Sequence, residues 1–297
     1  MSTLICFGLG YSAEHFVAAS GQKFDRIVGT ARGAERAAAL NARFGERLRM
    51  LIFDGSGAGA NAELRGAIGE ADFALVSVPP GEAGDPVLRA SEEAFAAARR
   101  VRSIVYLSTI GVYGDHGGGW VDEDTPPRPG SARSRARLAA ERAWQECGRG
   151  CGGAVAILRL SGIYGPGQNA LLQLARGTVR RIVKPGQVFN RIHAGDIAQA
   201  VDAAFAQRAS GIFNVADDEP SPHGDPIEFA ARLMGVPPPP EIPFAEAAPS
   251  MSALSLSFWQ ECRRVRNARL KRDLGVRLLY PTYREGLRAL FNAGSVP

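Results

Sequence analysis

A short β-rich run, Thr3 to Phe7, passes directly into Gly8-Leu9-Gly10-Tyr11-Ser12-Ala13 and then into a helical pattern. That order constrains the chain more than any other feature. Gly8 permits a tight turn, Gly10 lets backbone come close to a ligand, and Ala13 is small enough for the helix to lie on the strand. The first-turn amides around Tyr11 and Ser12 have no acceptor inside their own helix, so the turn is suited to a dinucleotide pyrophosphate. A glycine turn without a ligand is the alternative.

Further β-rich runs recur at Arg26–Gly29, Arg49–Phe53, Phe73–Val78, Ser103–Leu107 and Ala154–Leu160, separated by amphipathic stretches such as Gly33–Phe44 and Pro86–Arg100. Such alternation predicts βαβ crossovers, a parallel sheet and helices on both faces. After Gly165 the rhythm loosens. A helix is expected near Leu171, a strand over Val188–Ile192, a helix over Asp196–Gln207 and a strand over Ile212–Val215. The Pro237–Pro240 run cannot continue a helix and reads as a stiff loop. The predicted organisation is an α/β doubly wound domain over residues 1–165, also using 188–216, with a smaller α+β lobe from 166–187 and 217–297.

In a dinucleotide site selective for NAD, the second strand ends in a carboxylate that holds the adenosine 2'-hydroxyl. Here that place reads Thr30-Ala31-Arg32. A guanidinium suits a 2'-phosphate, so NADP is favoured, while NAD remains compatible with the turn. The competing reading of Arg32 is a solvated residue at a helix start. Asp54, after the third strand, is a candidate acceptor for the adenine amino group, or a plain loop carboxylate.

Composition removes several function classes. Thirty-five basic against thirty acidic residues leave a net charge of only +5, too small and too dispersed to imply nucleic acid, which is not expected as a partner although basic residues gather from Arg263 to Arg288. No apolar run nears the roughly 20 residues that cross a bilayer, and no signal peptide is visible. Cys6, Cys147, Cys151 and Cys262 lack metal-ligand spacing, so no metal is expected and a reducing cytoplasm fits.

Ser108-Thr109-Ile110-Gly111-Val112-Tyr113-Gly114 resembles the extended short-chain dehydrogenase/reductase family, whose members are NAD(P)-dependent epimerases and dehydratases with a Rossmann-type fold. Leu158-Arg159-Leu160-Ser161-Gly162-Ile163-Tyr164-Gly165-Pro166, Arg191-Ile192-His193-Ala194-Gly195-Asp196 and Gly211-Ile212-Phe213-Asn214-Val215 match later segments in order. The resemblance covers nearly the whole chain. It implies cofactor contacts at Gly8, Gly10, Tyr11, Ser12, Ala13, Thr30, Arg32, Asp54, Val78, Pro79, Ser108, Ser161 and Gly162, and it allows a homodimer through a helix bundle.

The family also carries Ser/Thr with Tyr-x-x-x-Lys. Thr109 matches the first, but Arg133 stands where tyrosine belongs and Arg137 where lysine belongs, and no Tyr-x-x-x-Lys exists anywhere; the only lysines are Lys23, Lys184 and Lys271. Arginine keeps its proton near neutrality and cannot be a general base. The pattern is similar to atypical members of the family that lack this pair.

Arg133 and Arg137, four apart on a helix, are expected to face the nicotinamide side together and hold a carboxylate, phosphate or oxyanion, or else form a solvated face. His116, on a glycine-rich loop, and Tyr113 are the candidate proton carriers, although a loop histidine without a role and a packing tyrosine are the blander readings. His193 is expected to be structural and Asp196 to cap the next helix. Glu123 and Asp124 match a family loop or are turn chemistry; Asn267, Arg269, Tyr280 and Tyr283 are candidates for the far wall of the cleft. Two functions compete: an oxidoreductase or epimerase acting on a small polar or anionic, nucleotide-sugar-like metabolite, and a dinucleotide-binding regulator that has lost catalysis.

Overall fold

The computed structural model describes residues 1–55 and 61–294. Its centre is a sheet of seven strands, which we number β1 (Thr3–Phe7), β2 (Arg26–Ala31), β3 (Leu48–Ile52), β4 (Phe73–Val76), β5 (Ser103–Thr109), β6 (Ala154–Leu160) and β7 (Gly211–Val215). Every pairing is parallel, in the order β7-β6-β5-β4-β1-β2-β3. The fold is therefore α/β of the Rossmann type. Successive side chains of a strand alternate between faces, and β1 shows the result: Leu4 and Cys6 join one core, with Phe16, Phe24 and Phe205, while Ile5 and Phe7 join the other, with Phe95 and Trp144. Strand order reverses between β1 and β4, and a crevice opens there beyond the carboxyl ends of the strands, the place where open α/β sheets bind ligands.

Five helices flank the first six strands: α1 (Tyr11–Ser20), α2 (Ala34–Phe44), α3 (Ala62–Glu70), α4 (Pro86–Ala97) and α5 (Ala132–Cys151). Asp85 caps α4 by accepting from the N–H groups of Val87 and Leu88, and its other oxygen accepts from Trp144 Nε1 of α5 at 3.0 Å, tying the two helices together. No helix of the described residues is long and apolar enough to cross a membrane.

Outside the sheet lie three short parallel pairs: Gly162–Tyr164 with Arg191–His193, Arg181–Val183 with Glu241–Pro243, and Trp120–Val121 with Arg264–Val265. The strand expected over Val188–Ile192 is thus displaced to Arg191–His193. Before it, Phe189 forms an isolated antiparallel bridge with Ser221, and the Asn190 side chain donates to Arg263 O at 2.9 Å and accepts from Val265 N at 2.8 Å.

Candidate active site

At the mouth of the crevice Gly8 has φ +76°, and a Cβ there would lie 2.8 Å from Val78 Cγ2. Only glycine fits. Gly10 is extended and a Cβ on it would meet nothing nearer than Gly8 O at 3.9 Å, so the space before it is open. The α1 helix then begins with no side chain capping it, while Ala13 is buried against the core. Open space, a bare helix N-terminus and a forced glycine fit a dinucleotide diphosphate. The Thr30 hydroxyl accepts from Gly8 N at 2.8 Å, so it fastens the turn itself.

A cleft of about 430 Å³ runs from this turn along the end of β2, with Thr30, Arg32, Arg36, Asp54, Val78 and Pro79 among its walls. Arg32 is exposed and makes no ion pair with another described residue. Arg36, which sequence reasoning missed, joins it from the first turn of α2 while also pairing with the buried Glu14, to which Arg43 binds at 2.8 Å. Its proximity to Arg32 in sequence was the available signal.

On the other side of the turn, Gly10, Tyr11, Ser12, Ser77, Ser108, Thr109, Arg137, Ser161 and Gln168 surround an inner cleft of about 330 Å³. Thr109, Ser161 and Gln168 also line an outer cleft of about 600 Å³ between the sheet and the smaller lobe, with Gly162, Ser131, Arg133, Asn190, Phe258 and Glu261. Thr109 Oγ1 accepts from Gly111 N at 3.1 Å, which leaves its own hydrogen to donate into the cleft. Tyr11 donates to Pro166 O at 3.0 Å, and burial pushes its phenol up to about 12. Ser161 donates to Val215 O, and Gly162 N to Asn190 O.

The two arginines do not act side by side. Arg137 is fixed on the inner wall, where Nη1 donates to Tyr106 Oη at 2.9 Å and to Leu107 O at 3.1 Å. Arg133 stands in the outer cleft, its guanidinium carbon 5.3 Å from the centre of the Phe258 ring. The end of β5 offers Arg137 a carbonyl and a phenol, which draw it inward, whereas nothing comparable stands beside Arg133.

Both candidate proton carriers are withdrawn from the clefts. Tyr113 is fully buried, donates to Asn214 Oδ1 at 2.8 Å, and carries the Arg159 guanidinium 4.8 Å from its ring centre. Burial pushes its phenol up. His116 Nε2 lies 3.1 Å from Tyr113 O, and its loop is pinned: His116 N and Gly118 N both donate to Cys262 O, while Asp115 accepts from Cys262 N. A loop so tied is no free lid, and the imidazole lines neither cleft.

Other residues also take structural duties. His193 accepts from Gly195 N at 3.0 Å and thereby caps the helix Ala194–Gln207; burial lowers its pKa to about 4. Asp196, expected as that cap, lies inside the helix and accepts from Leu279 N and Tyr280 N instead. Glu123 accepts from Asn214 N and Asp124 pairs with Arg269. Asn267 donates to Ala216 O, Tyr280 packs 3.9 Å from His193 and Tyr283 is buried, so none of the far-wall candidates lines a cleft. Ser108 donates to Glu141, which forms a buried ion pair with Arg159 at 2.7 Å. This network behind the inner cleft carried no sequence signal, because its members come from β5, α5 and β6.

The family described as NAD dependent epimerase/dehydratase matches this chain over residues 84–216. A 3-diazoavenalumate denitrifying reductase of a Streptomyces species is 29% identical over 203 residues, which cover 65% of this chain and 66% of that relative. A conserved Silicibacter pomeroyi DSS protein, described as functionally unknown, has a solved structure with 41% identity, 99% of each chain covered and a TM-score of 0.86. UDP-glucuronic acid 4-epimerase from Bacillus cereus, solved in complex with NAD, is 17% identical with a TM-score of 0.75 over 98% of this chain and 96% of its own, a likeness of fold. The matched segment contains β5, α5 and β6, the elements that carry Thr109, Arg133 and Arg137, so it is in the stretch around these residues that the chain is similar to the NAD-dependent epimerase/dehydratase family.

Proposed function

We propose that this protein is an NADP-preferring reductase of this family. In this reading the sheet unit, residues 1–165 with 188–216, holds the dinucleotide, and the remaining chain closes the substrate side. Gly8, Gly10 and the α1 amides take the diphosphate, Arg32 and Arg36 take the 2'-phosphate, and Arg137 borders the nicotinamide riboside. A reduced nicotinamide, when bound, supplies a hydride. Thr109 donates a hydrogen bond to the acceptor, and Arg133 offers a fixed positive charge to a polar, anionic metabolite.

The observation that carries this direction is the pair of guanidiniums at the tyrosine and lysine positions. A sugar epimerase begins by oxidising an alcohol, which requires a base to remove the hydroxyl proton. Neither Arg133 nor Arg137 is such a base. Reduction of an acceptor that needs only hydride makes no such demand. The Streptomyces relative is named a denitrifying reductase of a diazo compound; hydride transfer to a diazonium group, R–N₂⁺ giving R–H and dinitrogen, would balance without a proton from the protein.

The same two arginines support a second reading, a cofactor-binding regulator without turnover. Calorimetry with NADPH and NADH tests what the two readings share: NADPH is expected to bind about tenfold more tightly or better. Absence of heat with both overturns both readings. Cofactor oxidation by an electrophilic acceptor, slowed in Thr109→Ala, is expected for the reductase; binding without oxidation of any acceptor overturns it in favour of the regulator.

A further inference from the structure

We propose that Arg133 and Phe258 form a clamp for a planar aryl carboxylate, the carboxylate meeting the guanidinium and the aromatic ring lying against Phe258. This deepens, and rests on, the reductase reading by naming the class of molecule the outer cleft admits. Four features of the cleft lead to it.

First, Arg133 makes no ion pair with any described residue. The other guanidinium of the cleft, Arg263, is consumed: it pairs with Glu261 and donates to Gly114 O and Ile110 O. One uncommitted positive charge matches a single carboxylate better than a diphosphate with two. Second, Arg133 lies in the first turn of α5, which holds no acidic residue and is capped by Ser131, so the helix adds to the attraction for an anion there.

Third, the Phe258 side chain is 50% exposed although it lies at the cleft wall. An aromatic ring left open next to a guanidinium presents one face to stacking and one charge to pairing. Fourth, its position is built. Phe258 belongs to the short helix Ala253–Trp259, whose neighbouring Trp259 is buried, stacks on Phe244 at 5.3 Å and meets Phe189 edge-on at 4.9 Å. Trp259 anchors the helix, and Phe258 follows from it over the cleft.

The test is calorimetric titration of cinnamate into NADP⁺-saturated protein, beside cinnamamide and UDP-glucuronate. Cinnamate is expected to bind, Arg133→Gln to weaken it about tenfold or more, Phe258→Ala several-fold, and Phe258→Tyr little. Cinnamamide should bind the unaltered protein as weakly as cinnamate binds Arg133→Gln. Both side chains are exposed, so the variants are expected to fold. Equal affinity of cinnamate for the unaltered protein and Arg133→Gln overturns the clamp, as does UDP-glucuronate binding more tightly than cinnamate with no effect of Phe258→Ala. NADP⁺ producing no heat refutes the cofactor reading instead, and the same titrations on cofactor-free protein then decide the clamp by the same outcomes.

Discussion

In the central sheet seven parallel strands satisfy their backbone groups against one another, whereas outside it the strand pairs are two or three residues long and side chains supply further partners. Asn190 serves both Arg263 O and Val265 N, Gln187 donates to Glu261 O, Asn267 to Ala216 O, and Asp196 receives Leu279 N and Tyr280 N. A ladder spreads its energy over many equivalent bonds. A single polar side chain concentrates it, so a lone substitution can loosen the segments around the outer cleft.

A buried ion pair between α5 and the sheet concentrates energy in the same way, and disturbing it should produce the largest effect. Glu141 and Arg159 are 2% and 1% exposed and paired with each other. Glu141→Ala leaves a buried guanidinium without its counter-charge, at an expected cost of about 3–5 kcal/mol in urea unfolding. A loss below about 1 kcal/mol would refute the importance of the pair. Asn190→Ala comes next. It strands one donor and one acceptor of the segment 263–265, at about 1–3 kcal/mol. Hydrogen exchange should quicken in the segment 263–265 and leave the central strands unchanged; uniform quickening across the chain would show one cooperative unit.

A smaller effect is expected from acid. His223 packs between Phe189 and Trp259, and burial lowers its pKa from the ordinary 6.5 to about 4. Between those values the unfolded chain binds a proton that the folded protein refuses, so stability falls as pH drops from about 6.5 towards 4, by up to about 1.4 kcal/mol per pH unit. His193 adds in the same sense, while Asp196, raised to about 6 by burial, opposes both. The readout is therefore a difference: His223→Gln should lose one proton's share of that slope. Identical slopes in the two proteins would exclude the residue. Least disruptive is Arg32→Ala, expected to leave stability unchanged, weaken NADPH about tenfold and spare NADH; equal weakening of both would remove Arg32 from 2'-phosphate recognition.

The sheet was legible because apolar runs such as Thr3–Phe7 and Ala154–Leu160 coincide with strands, and the glycine turn lies where strand meets helix. What escaped was everything fixed by a distant partner. Nothing near Asp196 announces that it holds Leu279 and Tyr280, more than eighty residues on. His116 sits among glycines that suggest mobility, but Cys262 ties its loop down. Arg133 and Arg137 share a helix spacing that predicts one face, yet the carbonyl of Leu107 and the phenol of Tyr106 capture only the second. Helical periodicity gives direction; it does not give neighbours.

Arginine in both positions has a consequence for cellular conditions. A tyrosine–lysine couple is tuned to release a proton, and its competence drifts with acidity. Guanidinium as a chemical group stays charged far beyond any physiological alkalinity, a property that a tyrosine–lysine couple does not share. In the reductase reading, turnover would then follow how much reduced nucleotide and acceptor are present.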